Sequence, residues 1–208
     1  MSSPHSQIPF DLAPRKSPTF ESYITSGCNA AVVTHLKNWE QWPSPIMLLI
    51  GEQGSGKTHL GTAFASLDED VVFIDEVDKQ DEVELFGQMN RALNGEVKAL
   101  LLAAQTAPQT WSIQLPDLFS RLSNTAIIEL AEPDDALLEL IVRDLFSLQG
   151  REVSQSVVTY IVARSERTVG ALQDLVYKLE SRAQTAKADM SRAFVAKHIQ
   201  LLGAPDDI

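Results

Sequence analysis

The sequence is poor in cysteine and has no apolar segment long enough to cross a membrane. Cys28 is the only cysteine, so an intramolecular disulfide is excluded and a reducing compartment is indicated. The four histidines lie too far apart along the chain for metal-ligand spacing. The opening stretch "MSSPHSQIPF" lacks the apolar core of a signal peptide. We therefore expect a soluble cytoplasmic protein with no membrane partner.

Basic residues are also scarce: 17 Lys and Arg stand against 28 Asp and Glu, a net charge of −11. Such a surface repels a phosphate backbone, so direct specific binding of nucleic acid is not expected. The acidity has two interpretations that the sequence does not separate, namely solubility and an acidic docking face. Apolar residues make up 44% of the 208 residues, enough for a packed core.

The apolar pattern predicts an α/β domain followed by an all-helical one. Residues 1–19 contain four prolines and indicate an extended tail. Short apolar runs then alternate with helical patterns up to residue 130, and only helical patterns follow. We expect a tail at 1–17, an α/β domain at 18–131 and a helical lid domain at 132–208. The predicted strands are Ile46–Ile50, Val71–Asp75, Ala99–Ala104 and Ala126–Leu130. The predicted later helices cover about 134–148, 154–163, 168–187 and 191–202, with Ser154 and Ser191 as N-caps.

The stretch "GEQGSGKTHL" carries a complete phosphate-binding loop between a predicted strand and a predicted helix. Its glycines let backbone N–H groups surround a phosphate, and the positive end of the following helix points the same way. Lys57 would neutralise the terminal phosphates of ADP or ATP, and Thr58 would hold Mg²⁺. The candidate nucleotide-binding residues in this loop are Gly51, Gly54, Ser55, Gly56, Lys57, Thr58 and His59.

The second predicted strand ends in an acidic pair, "VVFIDEVD". In the Walker B interpretation Asp75 orients the shell of the Mg²⁺ ion and Glu76 polarises an attacking water. Acidic pairs at strand ends are also common without such a role, and residues 68–84 hold nine carboxylates against the single Lys79. The phosphate-binding loop decides in favour of Walker B.

Together, "GEQGSGKTHL", "VVFIDEVD" and "LPDLFSRL" resemble the AAA+ ATPases, and among them the DnaA-related branch. Phe20, Tyr23 and Asn29 resemble the aromatic-rich segment that leads into that module. The resemblance implies that Arg121 is an arginine finger acting in trans and that Gln105 stands at the sensor 1 position. It also implies sensor 2 at Arg167, with Arg164 as the second choice. The plainer alternatives are a helix-end carbonyl contact for Arg121 and a surface ion pair for Arg164 or Arg167.

The chain departs from the family between Thr58 and Asp75, where sixteen residues leave no room for a further strand and helix. In the family's strand order, 5-1-4-3-2, the absent strand is the outermost one, so we expect an order of 5-1-4-3. The missing unit normally packs beside the phosphates. We therefore expect weak intrinsic hydrolysis, with the nucleotide serving as a structural clip.

Within the DnaA-related branch the chain resembles the Hda-type regulatory inactivators, which have an AAA+ module and a clamp-binding peptide but no DNA-reading domain. Gln7, Phe10 and Leu12 in "QIPFDL" have the spacing of such a peptide. The resemblance implies two partners, the DnaA initiator and the DNA polymerase III sliding clamp, and leaves self-association open. The alternatives are a stand-alone P-loop ATPase and a non-hydrolysing AAA+ adaptor.

Overall fold

The computed structural model describes residues 18–201. The predicted clamp-binding residues Gln7, Phe10 and Leu12 lie outside this range. The described part contains four β-strands and eight α-helices, and its first half alternates between the two. The strands are β1 Ile46–Ile50, β2 Val71–Ile74, β3 Ala99–Ala104 and β4 Ala126–Glu129. The helices are α1 Ala30–Lys37, α2 Lys57–Ala65, α3 Glu82–Leu93, α4 Pro116–Ser123, α5 Asp135–Leu148, α6 Gln155–Val162, α7 Val169–Ala186 and α8 Arg192–Leu201.

The four strands form one parallel sheet in the order β2-β3-β1-β4. In the family's numbering β1, β2, β3 and β4 are strands 1, 3, 4 and 5, so the observed order is the predicted 5-1-4-3. The α/β fold class is confirmed as well. No strand or helix intervenes between α2 and β2 in the described chain. Parallel strands need crossovers that cover the sheet, so their residues are apolar on both faces. β3 is buried along its whole length.

The side chains of each strand alternate between two apolar layers. One layer packs Met47, Leu49 and Leu101 against α1 and α2, and the other packs Leu48 and Leu102 against α3 and α4. A third apolar cluster lies among α5, α6, α7 and α8. The domain boundaries at 17/18 and 131/132 stay predictions.

Most predicted element ends agree with the structure within two residues, and the N-caps explain several of them. The Asp81 side chain accepts from Val83 N and Glu84 N, and so begins α3. Ser191 Oγ likewise accepts from Phe194 N at 3.2 Å. Ser154 stands at the predicted start of α6, but its hydroxyl lies 3.0 Å from Ser156 Oγ and caps no backbone N–H. Ser154 therefore occupies the predicted N-cap position, but its side chain makes no capping hydrogen bond.

One close contact makes α2 fit against the edge strand β2. Gly61 in α2 is buried, and a Cβ at this position would lie 2.1 Å from the Phe73 ring of β2. We expect Gly61→Ala to lower the free energy of unfolding by about 1–3 kcal/mol, because the ring must be displaced in a packed layer. Urea denaturation measures the change.

Gly87 in α3 is the matched control, since a Cβ there meets no atom within 4 Å. Gly87→Ala should leave stability unchanged or raise it by about 0.5–1 kcal/mol, because alanine restricts the unfolded chain. Equal effects of the two substitutions would contradict the packing argument.

Candidate functional site

The phosphate-binding loop fills the gap between the end of β1 and the start of α2. Gly54 and Gly56 have φ angles of +80° and +104°, a region that other residues enter only with strain. Gly51 lies against the backbone carbonyl of Leu130, at the end of β4. The loop therefore has the backbone that its glycines predicted. Its N–H groups stand at the N-terminus of α2, where an anion is favoured.

Lys57 is folded back onto the loop and is only 9% exposed. Its Nζ donates to the carbonyls of Gly51 at 2.6 Å and Glu52 at 2.9 Å. Burial lowers the pKa of Lys57, and the carboxylates of Asp75 and Glu52 oppose that shift. The loop thus holds a largely desolvated ammonium group at its centre.

Thr58 and Asp75 contact each other directly across the site. Thr58 Oγ1 donates to Asp75 Oδ2 at 2.6 Å, and Asp75 Oδ1 accepts from Glu76 N at 2.9 Å. Strand β2 ends at Ile74, one residue before the predicted end. A hydroxyl and a carboxylate are oxygen ligands of the kind that Mg²⁺ prefers. The described residues contain no group of three His, Cys, Asp or Glu side chains that could hold a metal ion by themselves.

Glu76 has an unusual backbone and an engaged side chain. Its φ of 46° and ψ of 48° lie in the left-handed region, which costs a non-glycine residue about 1 kcal/mol or more. Its Oε1 lies 2.6 Å from Lys79 Nζ, and this hydrogen bond raises the pKa of Lys79. More than half of each side chain is exposed, so the ion pair is weak.

The register of the strands brings the predicted residues to one edge of the sheet. Ile50 of β1 pairs with Ala104 of β3, so Gln105 is level with Gly51. Ile74 of β2 pairs with Leu102, which places Asp75 along the same edge. Gln105 is exposed there. Its role as sensor 1 stays a prediction.

A cleft separates the loop from the helical part of the chain. It is lined by Glu52, Gln53, Ser55, Glu132, Pro133, Arg167 and Thr168. Arg167 donates to Asp135 Oδ1 at 2.6 Å and to the Pro133 carbonyl at 3.0 Å. Thr168 caps α7 and lies so close to Gly54 that a Cβ on Gly54 would be 2.7 Å from it. Sequence reasoning missed this contact between loop and lid, which no local pattern reports.

The residues fit a bound nucleotide. Ser55 Oγ is buried beside the cleft without a hydrogen-bond partner. Buried polar atoms normally have partners, so an unpaired one in a phosphate-binding loop suits a ligand oxygen. Lys57, Thr58 and Asp75 complete the charges and oxygen ligands that a nucleotide with Mg²⁺ would need.

The segment before α1 covers the other side of the loop. Tyr23 lies against Gly56, and its ring meets the His59 ring edge-on at 5.2 Å. Burial raises the pKa of Tyr23 to about 12 and lowers the pKa of His59. Asn29 is 1% exposed and holds the turn that positions Tyr23, because its amide bonds Ser26 N and the Ile24 carbonyl. Sequence reasoning singled out Tyr23 and Asn29 but not their contacts.

Arg121 lies elsewhere, in the last turn of α4 on the opposite layer of the sheet. Its guanidinium stacks on the Phe86 ring of α3, with 4.5 Å from Cζ to the ring centroid. Its Nη1 is buried and has no hydrogen-bond partner. Arg164 is likewise over an aromatic ring, that of Tyr160.

None of the helices in the part of the chain that the structure describes is long and apolar enough to span a membrane.

Comparison with known proteins identifies the fold. No protein-family model matches the sequence. An uncharacterized protein of Haemophilus influenzae is 23% identical over 228 residues, covering 94% of this chain and 99% of the relative. Domain III of the Thermotoga maritima replication initiation protein DnaA is similar at a TM-score of 0.75 and 18% identity, over 90% of this chain and 97% of that domain.

Two longer structures are also similar. Replication initiator DnaA bound to AMPPCP and single-stranded DNA has a TM-score of 0.66 at 17% identity, over 86% of this chain and 70% of that one. A DNA replication initiation factor has a TM-score of 0.70 at 17% identity; the match covers 78% of this chain but only 64% of that one. The chain therefore has a DnaA-like AAA+ fold.

The His59 environment predicts a pH dependence of stability. A lowered folded-state pKa means that the unfolded chain takes up the proton first as the pH falls below 6.5, so stability decreases toward acid. His59→Gln removes this term. We expect the urea midpoint of the variant to fall less between pH 7.5 and pH 5 than that of the parent chain. Equal decreases, or an NMR titration of His59 at or above 6.5, would contradict it.

Proposed function

We propose that this chain is a cytoplasmic regulator of chromosome replication initiation of the Hda type. It binds ADP or ATP with Mg²⁺ in the cleft between its loop and its lid. Its N-terminal peptide docks on the DNA-loaded sliding clamp, and Arg121 reaches into the ATP site of DnaA. DnaA then hydrolyses its ATP, and a second initiation is prevented.

The observation that carries the proposal is the state of Arg121. An arginine that only stabilises its own fold normally donates hydrogen bonds to carboxylates or carbonyls of the same chain. The Nη1 of Arg121 is without a hydrogen-bond partner, and the guanidinium is supported by an aromatic ring instead. Nη1 is buried in the chain alone; once docking uncovers it, a donor that this chain does not use can stabilise charge on a phosphoryl group that another protein supplies.

The same chain supports tight binding of a nucleotide better than rapid turnover. Glu76, the residue that would polarise water, stands on a strained backbone, and its exposed ion pair with Lys79 adds only a weak restraint. A nucleotide in the cleft would contact both of its walls, the loop and the start of α7, and would thereby set the angle between them. Lys57, Ser55 and the loop amides would hold phosphate oxygens, and Thr58 and Asp75 would hold the cation. Arg167 lines the cleft from the lid, and its ion pair with Asp135 would have to open for it to reach the nucleotide.

Nucleotide binding is tested with Lys57→Met. Loss of a desolvated ammonium and its charge-assisted bonds should weaken ADP binding by about 10- to 100-fold in calorimetry with Mg²⁺ present. Lys98→Ala is the matched control, because Lys98 is an exposed lysine paired with Asp68 and Asp70 and is far from the loop in the chain. Unchanged ADP affinity in Lys57→Met would refute the site.

The regulatory role is tested with Arg121→Ala. The variant should bind ADP and the clamp like the parent chain but leave ATP hydrolysis by DnaA at the rate seen with DNA-loaded clamp alone. Arg91→Ala is the control, because it removes from α3 an exposed arginine that pairs with Glu96. Full stimulation of DnaA ATP hydrolysis by Arg121→Ala would contradict the proposal.

A further set of reactions separates the alternatives. Removing residues 1–17 should abolish stimulation if the tail recruits the clamp. Steady ATP turnover by this chain alone, without stimulation of DnaA, would instead favour a stand-alone ATPase.

A further inference from the structure

The side chain of Arg121 is held by α3 and not by a partner carboxylate. The Phe86 ring lies under the guanidinium at 4.5 Å, and Phe86 itself packs on the apolar layer formed by α3, α4 and the sheet. A cation over a ring face is held by electrostatic attraction that uses none of its N–H donors. A carboxylate in this place would hold the guanidinium as well but would occupy its fork.

A second contact fixes where α4 begins. Both carboxylate oxygens of Glu82 accept backbone N–H groups that precede α4: Gln114 N at 2.9 and 3.1 Å, and Leu115 N at 2.8 Å. Leu115 is the N-cap of α4, and the helix itself has no side-chain cap of its own. Glu82 thus holds the two backbone N–H groups immediately before the helix, at an end where negative charge is favoured.

The two residues act on the same short helix from the same face of α3. Glu82 and Phe86 are four residues apart, so they lie one above the other on α3. α4 has only eight residues, and Arg121 follows its N-cap by six positions. Glu82 therefore binds the backbone where α4 begins. Phe86, one turn further along α3, holds the Arg121 side chain near the end of α4.

We propose that Glu82 and Phe86 are positioning residues for Arg121, which they orient while leaving its donors free. The inference rests on the proposed role of Arg121 as an arginine finger. A freely rotating arginine loses much rotamer entropy when it is ordered in a complex, and a preoriented one loses less. Both residues should therefore affect the maximal rate of the stimulated reaction and not the affinity for nucleotide or clamp.

The first experiment reads the geometry without any partner. In ¹⁵N spectra of the full chain, the Nε–Hε signal of Arg121, assigned with Arg121→Lys, should be shifted upfield by the ring current of Phe86. Phe86→Leu should remove the shift while keeping an apolar side chain, and Phe86→Tyr should retain it. An Arg121 signal that does not respond to Phe86→Leu overturns the positioning role of Phe86.

The second experiment measures ATP hydrolysis by DnaA with DNA-loaded clamp and increasing amounts of each variant. Phe86→Leu and Glu82→Ala should lower the maximal stimulated rate by about three- to tenfold, with an unchanged half-maximal concentration. Phe86→Tyr should restore the rate, and Glu82→Gln, which keeps an acceptor but not the charge, should be intermediate. Glu84→Ala is the matched control: it removes a carboxylate from the same turn of α3 without touching α4. ADP affinity checks that every variant is folded.

The outcomes separate the two hypotheses. If the parent chain stimulates DnaA and Phe86→Leu does so equally well, the positioning role is wrong and the proposed function stands. If Glu84→Ala is as harmful as Glu82→Ala, the effect is one of charge and the role of Glu82 is wrong. If the parent chain does not stimulate DnaA, the proposed function is wrong, and the ring-current result alone decides whether Phe86 orients Arg121.

Discussion

The position of β1 between β3 and β4 is the constraint on which the rest of the molecule depends. Its backbone is paired on both sides, and it ends in the phosphate-binding loop. Because the strands are parallel and in register, Gly51, Gln105 and Leu130 come to the same edge, and β2 adds Asp75 beyond β3. Ligands of open parallel sheets bind at this carboxyl edge. The site is thus a consequence of strand order, and the loop sequence only adapts it to phosphate.

The short connection between α2 and β2 changes the edge of the sheet but not its centre. β2 pairs only with β3 in the described chain, so its other side is an open edge. On its inner face Phe73 lies against α2. The fold therefore keeps the carboxyl edge of an AAA+ module, which carries the phosphate-binding loop, with one strand fewer.

Glu76 and Arg121 are held in different ways. Glu76 stands on a strained backbone, and its exposed ion pair with Lys79 is weak. The Arg121 guanidinium lies on the Phe86 ring, and its buried Nη1 has no hydrogen-bond partner. Under the proposed function, this unused donor acts on a nucleotide held by another protein.

The sequence by itself determined the local structure. The glycine loop and the apolar strands depend on nearest neighbours, so the loop conformation and most helix limits could be predicted from residue patterns. The strand order was predicted only from the resemblance to the AAA+ ATPases. Ser154 is the N-cap residue of α6 as predicted, but its hydroxyl lies 3.0 Å from Ser156 Oγ and bonds no backbone N–H of the helix. Only the tertiary structure decided the contacts between distant segments, namely Thr168 against Gly54, Tyr23 against His59, and Glu82 with Phe86 around α4 and Arg121. These pairs are joined by packing of whole helices, and such packing depends on the summed shape of many side chains and leaves no periodic signal in the chain.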